Sequence, residues 1–211
     1  MSTASSFSHL ILASASPRRR ELLARAGIDA RIVVPKIDES ILPGEAPAAA
    51  SIRLARTKAV NVGDQHPDSF VLAADTIVAL PAGGESFLFL GKPENREDAL
   101  RMLSLLSGRA HLVVTGFVLF RHDTKLLVER SMESLVIMKK ASSEEIAAYA
   151  NTKEPYDKAG AYAIQGIGAS FVSRIEGSVS NVMGLPLVET LDILKEHGLW
   201  RPQQLTGGIV G

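Results

Sequence analysis

The sequence predicts an α/β protein with a mixed, partly antiparallel β-sheet. Strand-like and helix-like segments alternate along most of the chain, a pattern that favours helices packed on a sheet. Two long strand-like segments, 110–121 and 125–139, follow one another across a short turn. Strands joined by so short a connection pair antiparallel, so a sheet of parallel strands alone is not expected.

The other elements follow from apolar periodicity and from the residues that interrupt it. Short apolar runs bounded by glycine, proline or polar residues predict further strands at 10–13, 31–34, 70–80, 87–90 and 169–175. Apolar residues at helical spacing predict helices from Pro17 to about Gly27 and at 48–62, 95–106, 143–150 and 186–197. Loops are expected at 35–47, 150–168 and 176–182.

Composition limits both the architecture and the partners. The 211 residues are 46% hydrophobic and 22% charged, enough for a substantial core, and we expect one domain at 9–200 between a polar leader at 1–8 and a loose tail at 201–211. Basic and acidic residues number 23 each, so no overall field favours nucleic acid and no stable nucleic-acid binding is expected. No apolar run approaches the roughly 20 residues of a membrane helix. The absence of cysteine excludes disulfides, thiolate metal sites and a cysteine nucleophile.

The segment after the first strand has the composition of an anion-binding helix start. Ser16 is the expected N-cap and Pro17 the expected first helical residue, with Ser14 just before them. Amide groups of a first helical turn lack partners within the helix and lie at the positive end of its dipole, so they favour anions. Arg18 and Arg19 add forked donors that match phosphate oxygens. The same residues are equally compatible with an ordinary capped helix whose basic turn faces water.

Asp75 is unusual because it lies within an otherwise apolar strand segment. A carboxylate in that setting needs a metal ion, a basic partner or the mouth of a cleft, although it can also serve only to cap a neighbouring turn. Glu39, Lys58 and Lys92 could converge on the same cleft, whereas each by itself would be an ordinary surface charge. We therefore expect a polar cleft around Asp75.

Several strings in chain order form a wider pattern. They are Leu-Ala-Ser-Ala-Ser-Pro-Arg-Arg at 12–19, Ala-Ala-Asp-Thr at 73–76, Gly-Lys-Pro at 91–93, Ser-Gly at 107–108, Thr-Gly at 115–116, Glu-Pro-Tyr-Asp-Lys-Ala-Gly-Ala-Tyr-Ala-Ile-Gln-Gly at 154–166 and Asn-Val-Met-Gly-Leu-Pro-Leu at 181–187. Spread over about 10–194, this pattern resembles the Maf family of nucleoside triphosphate pyrophosphatases.

The resemblance implies a fold related to the inosine triphosphate pyrophosphatases, with an elongated mixed sheet, flanking helices and two lobes around a cleft. It implies hydrolysis of the bond between the α- and β-phosphates with a divalent cation, Mg²⁺ or Mn²⁺. The string at 154–166 is similar to the subgroup that acts on dTTP and UTP. A cytoplasmic location, a homodimer, removal of modified nucleotides and a link to cell-division arrest are also implied.

Chemistry and resemblance together give each candidate residue a role. We expect Asp75 to be the general base that orients water, and Asp75 with Glu39 to hold the cation. The candidates for binding phosphate are Ser14, Ser16, Arg18, Arg19, Lys58 and Lys92.

The resemblance assigns base specificity to Arg18, Thr76 and Gln165. The Gln165 carboxamide offers a donor and an acceptor that match the edge of uracil or thymine, although a loop amide often bonds its own backbone instead. His111 is expected to be a structural hydrogen-bonding partner. Two other functions stay open: a protein that senses nucleotides or nucleic acid without turnover, and a pyrophosphatase for modified purine nucleotides such as 7-methyl-GTP.

Overall fold

The structure, a computed structural model, describes residues 10–202, so the predicted leader and all but two residues of the predicted tail lie outside it. Within this range the strands form a seven-stranded sheet. They are β1 (Leu10–Ala13), β2 (Arg31–Ile32), β3 (Phe70–Gly83), β4 (Ser86–Leu90), β5 (Ala110–Arg121), β6 (Leu126–Met138) and β7 (Val172–Glu176). The helices are α1 (Pro17–Arg25), α2 (Pro47–Gly63), α3 (Arg96–Leu106), α4 (Ser143–Ala150), α5 (Val179–Val182) and α6 (Leu187–Glu196).

The sheet is mixed, as the sequence predicts. Its order is β2-β1-β3-β5-β6-β7, and β4 pairs with β3 outside this path. β1 runs parallel to β2 and to β3, while the pairs β3–β4, β3–β5, β5–β6 and β6–β7 are antiparallel. Among the helices in residues 10–202, none is long and apolar enough to cross a bilayer.

Side chains of β3 alternate between two layers of helices because successive residues of a strand point to opposite faces. Leu72 and Ala74 pack with apolar residues of α1 and α6. Val71 and Ala73 pack with the apolar stripe of α2 on the other face. Farther along the sheet a separate apolar cluster joins α3 and α4 to β3, β5 and β6. The clusters around α1 with α6 and around α3 with α4 form the two predicted lobes.

One edge of β3 is shared by two strands that leave a gap between them. β1 pairs with residues 70–73 of β3 and β4 pairs with residues from 78 to 83, while β5 covers the opposite edge from 71 to 79. On the shared edge, residues 74–77 therefore have no neighbouring strand in the described part of the chain. The carboxyl ends of β1 and β4 face this gap from opposite directions, because one strand is parallel to β3 and the other antiparallel.

Four elements differ from the sequence prediction. β2 is shorter than the expected 31–34, because β1 ends at Ala13 and offers few further partners. β3 continues through Pro81, which pairs with Phe87, so the turn expected at 81–84 lies one to two residues later. Residues 169–171 belong to a 3₁₀ helix (Ile167–Phe171), and the last strand begins only at Val172.

The fourth difference is α5, in a segment for which the sequence predicts a loop. The Ser178 hydroxyl accepts a hydrogen bond from the Asn181 amide, as an N-cap does, and so begins this single helical turn. A helix of four residues contains too few apolar positions to produce a visible period. Such a turn is therefore stabilised by its cap and its surroundings rather than by an apolar face.

Candidate active site

A cleft of about 280 Å³ lies at the gap in the sheet and is lined from both lobes. Asp75 and Thr76, which belong to the stretch of β3 beside the gap, line this cleft. Ser14 and Ser16, which follow β1, and Lys92, which follows β4, approach the gap from opposite sides. The topology thus brings together residues that are far apart in the sequence. Nine of the ten predicted site residues line this cleft: Ser14, Ser16, Arg18, Arg19, Glu39, Lys58, Asp75, Thr76 and Lys92 all do, and Gln165 does not.

Eight of these nine are catalytic or substrate-binding candidates, and the ninth, Glu39, is the further candidate for holding a cation. Gln165 is exposed and lies next to Ile164, which does line the cleft. The predicted contact between Gln165 and a nucleobase stays a prediction.

Arg19 on the first turn of α1 is a buried cation held by uncharged acceptors. Its side chain donates from Nε to the Gly184 carbonyl at 2.7 Å, from Nη1 to the Ser14 hydroxyl at 3.1 Å and from Nη2 to the Thr76 hydroxyl at 3.0 Å. Burial lowers the pKa of this guanidinium, and the nearby charge of Asp75 partly offsets that effect. Among residues 10–202 no carboxylate forms an ion pair with Arg19, so its positive charge is directed into the cleft without a protein counter-ion.

The hydroxyl of Thr76 links Arg19 to a buried polar network behind the cleft. Thr76 Oγ1 lies 2.9 Å from Thr115 Oγ1, and Thr115 donates to the Asn181 carbonyl at 3.1 Å. The Asn181 side chain donates to the Val113 carbonyl at 2.9 Å. Since Thr115 and Asn181 are fully buried, this network ties α5 to the central strands and fixes the position of the Arg19 side chain.

The start of α1 confirms the predicted cap geometry, with one difference. Ser16 has the extended backbone of an N-cap and Pro17 is the first helical residue. In the described structure, however, the Ser16 side chain makes no capping hydrogen bond. Instead the Ser14 hydroxyl accepts a hydrogen bond from the Ser16 amide at 3.1 Å. The Ser16 hydroxyl is therefore not used to cap the helix.

On the opposite face of β3, Lys58 of α2 joins two carboxylates. Its Nζ lies 2.5 Å from Asp75 Oδ1 and 2.9 Å from Glu39 Oε1. Lys58 and Asp75 are buried, whereas the Glu39 side chain is 57% exposed. Gly116 lies opposite Asp75 in β5, and a side chain there would collide with the α2 backbone at Ser51. The missing side chain lets α2 approach the sheet closely enough for Lys58 to reach Asp75.

The second wall of the cleft is a loop of short 3₁₀ turns between α4 and β7. Asp157, Lys158, Tyr162 and neighbouring residues of this loop line the cleft. Arg18 Nη1 lies 3.4 Å from Asp157 Oδ2, and Asp157 also pairs with Lys158. Asp157 and Lys158 are not among the predicted site residues, although both belong to the string at 154–166. In a segment without periodicity, their charges do not by themselves indicate a binding or catalytic site.

His111 in β5 is the structural partner that the sequence predicts. It is fully buried, and its Nε2 lies 2.9 Å from the Tyr162 hydroxyl of the loop. Burial lowers the pKa of His111 to about 4, so the ring is neutral at pH 7. His111 therefore connects the central strands to the second wall without adding charge to the cleft.

Comparison with known proteins supports the predicted resemblance. The model of the Maf family, described as Maf-like protein, matches residues 9–197. The chain belongs to the Maf family. This match includes both walls of the cleft and every predicted site residue.

Relatives in the Maf family are similar to this chain over nearly its whole length. The dTTP/UTP pyrophosphatase of Myxococcus xanthus is 52% identical over 196 residues, which cover 91% of this chain and 95% of that protein. The dTTP/UTP pyrophosphatase of Geotalea uraniireducens is 48% identical over 191 residues, covering 90% and 96% respectively. Among solved structures, the Staphylococcus aureus Ham1 protein is similar with a TM-score of 0.53 and 14% identity, over 90% of this chain and 98% of that chain. This last similarity supports the fold of this Maf family member.

Proposed function

We propose that this protein hydrolyses the pyrimidine nucleoside triphosphates dTTP and UTP to the nucleoside monophosphate and pyrophosphate. The relatives that carry this activity in their names are about half identical to this chain over most of its length. The observation in the structure that supports the proposal best is the buried Arg19 guanidinium, which lines the cleft and forms no ion pair with a carboxylate of residues 10–202. A buried cation of this kind is stabilised when a phosphate supplies the missing negative charge.

In the proposed reaction, a water molecule attacks the α-phosphorus and the bond from this phosphorus to the bridging oxygen of the β-phosphate breaks. Asp75 accepts a proton from the attacking water, and the bridging oxygen leaves with pyrophosphate. Lys58 binds Asp75 Oδ1 and thereby orients the carboxylate, so Oδ2 is the oxygen that we assign to the water. Ser14, Arg18, Arg19 and Lys92 bind the phosphates and stabilise their charge in the transition state.

The carboxylates around Lys58 fit a divalent cation. Asp75 and Glu39 both contact the same Nζ, at 2.5 and 2.9 Å, so both carboxylates lie close to one point at the cleft. Mg²⁺ is commonly bound by one or two carboxylates, with phosphates and water as the other ligands. Within residues 10–202 there is no group of three or more acidic or histidine side chains placed to hold a metal. When bound, Mg²⁺ or Mn²⁺ would neutralise phosphate charge and lower the pKa of a bound water.

Several finer features rest on the family resemblance and belong to the same proposal. They are recognition of the base by Arg18, Thr76 and Gln165, phosphate contacts by Ser16 and Lys58, and a cytoplasmic homodimer. The single domain at 9–200 and a role in removing modified nucleotides are further parts of this proposal. Base recognition, the homodimer and the location are separable from the chemistry at Asp75, so that chemistry is tested first.

The test is pyrophosphate release from a panel of nucleoside triphosphates with Mg²⁺ or Mn²⁺, using the wild type and Asp75→Asn. We expect release from dTTP and UTP, and a fall in kcat of about 10³-fold in the variant, because the amide cannot accept the proton. Hydrolysis in ¹⁸O-labelled water should place the label in the monophosphate, which identifies the α-phosphorus as the site of attack. Asp68→Asn is the matched control, since this exposed aspartate lies before the other end of β3.

Three outcomes would contradict the proposal. Nucleotide binding without release of pyrophosphate by the wild type would favour the sensor. Preferential cleavage of 7-methyl-GTP or another purine nucleotide would favour the purine pyrophosphatase. Equal activity of Asp75→Asn and Asp68→Asn, with both variants folded by circular dichroism, would remove Asp75 from the chemistry.

A further inference from the structure

The second wall of the cleft has little regular structure to keep it in place. Residues 155–166 contain two 3₁₀ turns, Pro155–Asp157 and Ala159–Ala161, and no strand or α-helix. Six residues of this stretch line the cleft: Asp157, Lys158, Ala159, Tyr162, Ala163 and Ile164. Positions of side chains in such a loop depend on the contacts that close it, rather than on a backbone ladder.

A single carboxylate closes this loop at its base. Glu154 Oε1 accepts hydrogen bonds from the Tyr149 hydroxyl and from the Gly168 amide, each at 2.8 Å, and Oε2 accepts one from the Ile167 amide at 3.0 Å. Residue 154 precedes the loop, and residues 167 and 168 follow it. The amides of Ile167 and Gly168 are the first two of the 3₁₀ helix Ile167–Phe171. Without the Glu154 carboxylate they would lack hydrogen-bond acceptors.

Two glycines leave the space that this carboxylate and its partner need. A Cβ on Gly166 would collide with the Glu154 carboxylate, and a Cβ on Gly168 would lie 2.6 Å from the Tyr149 hydroxyl. That hydroxyl also accepts a hydrogen bond from the Ala163 amide at 3.2 Å, within the cleft-lining stretch. Tyr149, Gly166 and the first turn of the 3₁₀ helix Ile167–Phe171 therefore all pack against the Glu154 carboxylate.

We propose that Glu154 is a positioning residue that sets the nucleobase selectivity of the cleft by closing the loop at 155–166. The inference rests on the proposed function, because selectivity has meaning only if the cleft takes nucleotides. Glu154 itself does not line the cleft and acts through the loop residues that do. One of them, Ile164, adjoins Gln165, so the same closure places the exposed carboxamide beside the cleft.

The arrangement requires a carboxylate, because all three of its partners are donors. An ionised carboxylate offers only acceptors, whereas a glutamine would point an N–H group at an N–H or O–H donor. Burial disfavours the charge on Glu154, but the hydrogen bonds from Gly168, Tyr149 and Ile167 outweigh that effect and lower its pKa below the ordinary value. The side chain is therefore ionised at neutral pH, as the geometry demands.

The experiment compares Glu154→Gln with the matched control Glu145→Gln. Glu145 lies in the capping box of α4 and pairs with Lys139, so its loss also costs helix stability but touches no residue of the loop. For each protein, kcat and KM are measured with UTP and GTP, and amide hydrogen exchange is measured across 155–168. Tyr149→Phe is a second variant, which removes one donor and leaves the carboxylate in place.

We expect Glu154→Gln to raise KM for UTP and to lower the UTP-to-GTP ratio of kcat/KM, each about tenfold, with kcat changed less than about threefold. Exchange at 155–168 should become faster in this variant and not in the control. Tyr149→Phe should shift the same quantities in the same direction by a smaller factor.

An unchanged selectivity ratio in a folded Glu154→Gln protein would overturn the inference, as would equal shifts in the Glu145→Gln control. A failure of the proposed function is distinguishable from this result, because the wild type would then release no pyrophosphate. If the wild type releases no pyrophosphate, nucleotide binding replaces turnover as the measurement. A Glu154→Gln protein whose loop exchanges faster but which binds nucleotide as tightly as the wild type would then also contradict the inference.

Discussion

The two walls of the cleft are built in different ways. The first wall consists of β3 and the start of α1, where strand pairing and a buried network fix Asp75, Thr76 and Arg19. The second wall is a loop of 3₁₀ turns, which one carboxylate, Glu154, closes at its base. A strand and a helix position Asp75 and Arg19 in the first wall, while a few side-chain contacts position the residues of the second wall.

For the proposed function, this difference separates the demands of chemistry from those of selectivity. General-base and phosphate-binding groups lose activity when they move by fractions of an ångström, so rigid elements suit them. A loop can change its lining residues without disturbing the sheet, so it suits recognition of different bases. Changes at Asp75 and Arg19 in the first wall should therefore reduce the turnover of every substrate, and changes in the second wall should alter the preference among substrates.

The largest effect that tests this comparison is expected for Arg19→Lys. Lysine keeps the charge but cannot form the three directed hydrogen bonds to Gly184, Ser14 and Thr76. We expect kcat/KM to fall about 100-fold for dTTP, UTP and GTP alike. Steady-state kinetics with Arg20→Lys as the control checks this, because Arg20 lies on the same helical turn and is exposed. A loss confined to one nucleotide would place Arg19 among the selectivity residues instead.

A smaller effect is expected where the two walls meet, at His111. Its pKa is lowered to about 4 by burial, whereas a histidine in the unfolded chain has a pKa near 6.5. Between these values the unfolded state binds more protons, so the free energy of unfolding falls as the pH is lowered. Between pH 8 and pH 5 the contribution of this residue is about 2 kcal/mol.

Urea unfolding of the wild type and of His111→Gln at both pH values measures this contribution. The variant should lose that part of the pH dependence, while His66→Gln should retain it. A wild-type protein and a His111→Gln variant with the same pH dependence would show that the contact with Tyr162 does not depend on a neutral histidine.

The smallest effect is expected for Thr115→Val, within the network behind the first wall. Valine has nearly the same shape but lacks the hydroxyl that contacts Thr76 and the Asn181 carbonyl. The free energy of unfolding should fall by about 1 kcal/mol. The kcat/KM should fall a few fold for all nucleotides, because Thr76 and Arg19 lose support. Urea unfolding and kinetics check both, with the exposed Thr124→Val as the control, and an altered nucleotide preference would weaken the distinction between the walls.

Much of the first wall could be predicted from the sequence. Its strands are continuous apolar runs, its helix start has a proline and a serine in the expected places, and Asp75 interrupts an apolar segment. Glu39, Lys58 and Lys92, which we expect to converge on Asp75, line the same cleft as that residue. Their catalytic and binding roles stay predictions.

The second wall could not be derived in the same way. Glu154, Asp157 and Lys158 are charged residues in an aperiodic segment, and such residues are usually exposed to water. Their positions depend on partners such as Gly168 and Arg18, the second of which lies 139 residues away in the chain. The carbonyl that holds Arg19 comes from Gly184, 165 residues away. The local sequence pattern contains no information on contacts between residues so far apart in the chain.

The gap between β1 and β4 also has a practical consequence for engineering. β4 runs from Ser86 at the hairpin tip to Leu90 at the gap, and Glu85 at this tip is exposed. Five strand residues, roughly 17 Å, separate this tip from the cleft. A fluorophore or a short peptide inserted at the tip would thus report on the β3–β4 hairpin while leaving the cleft intact.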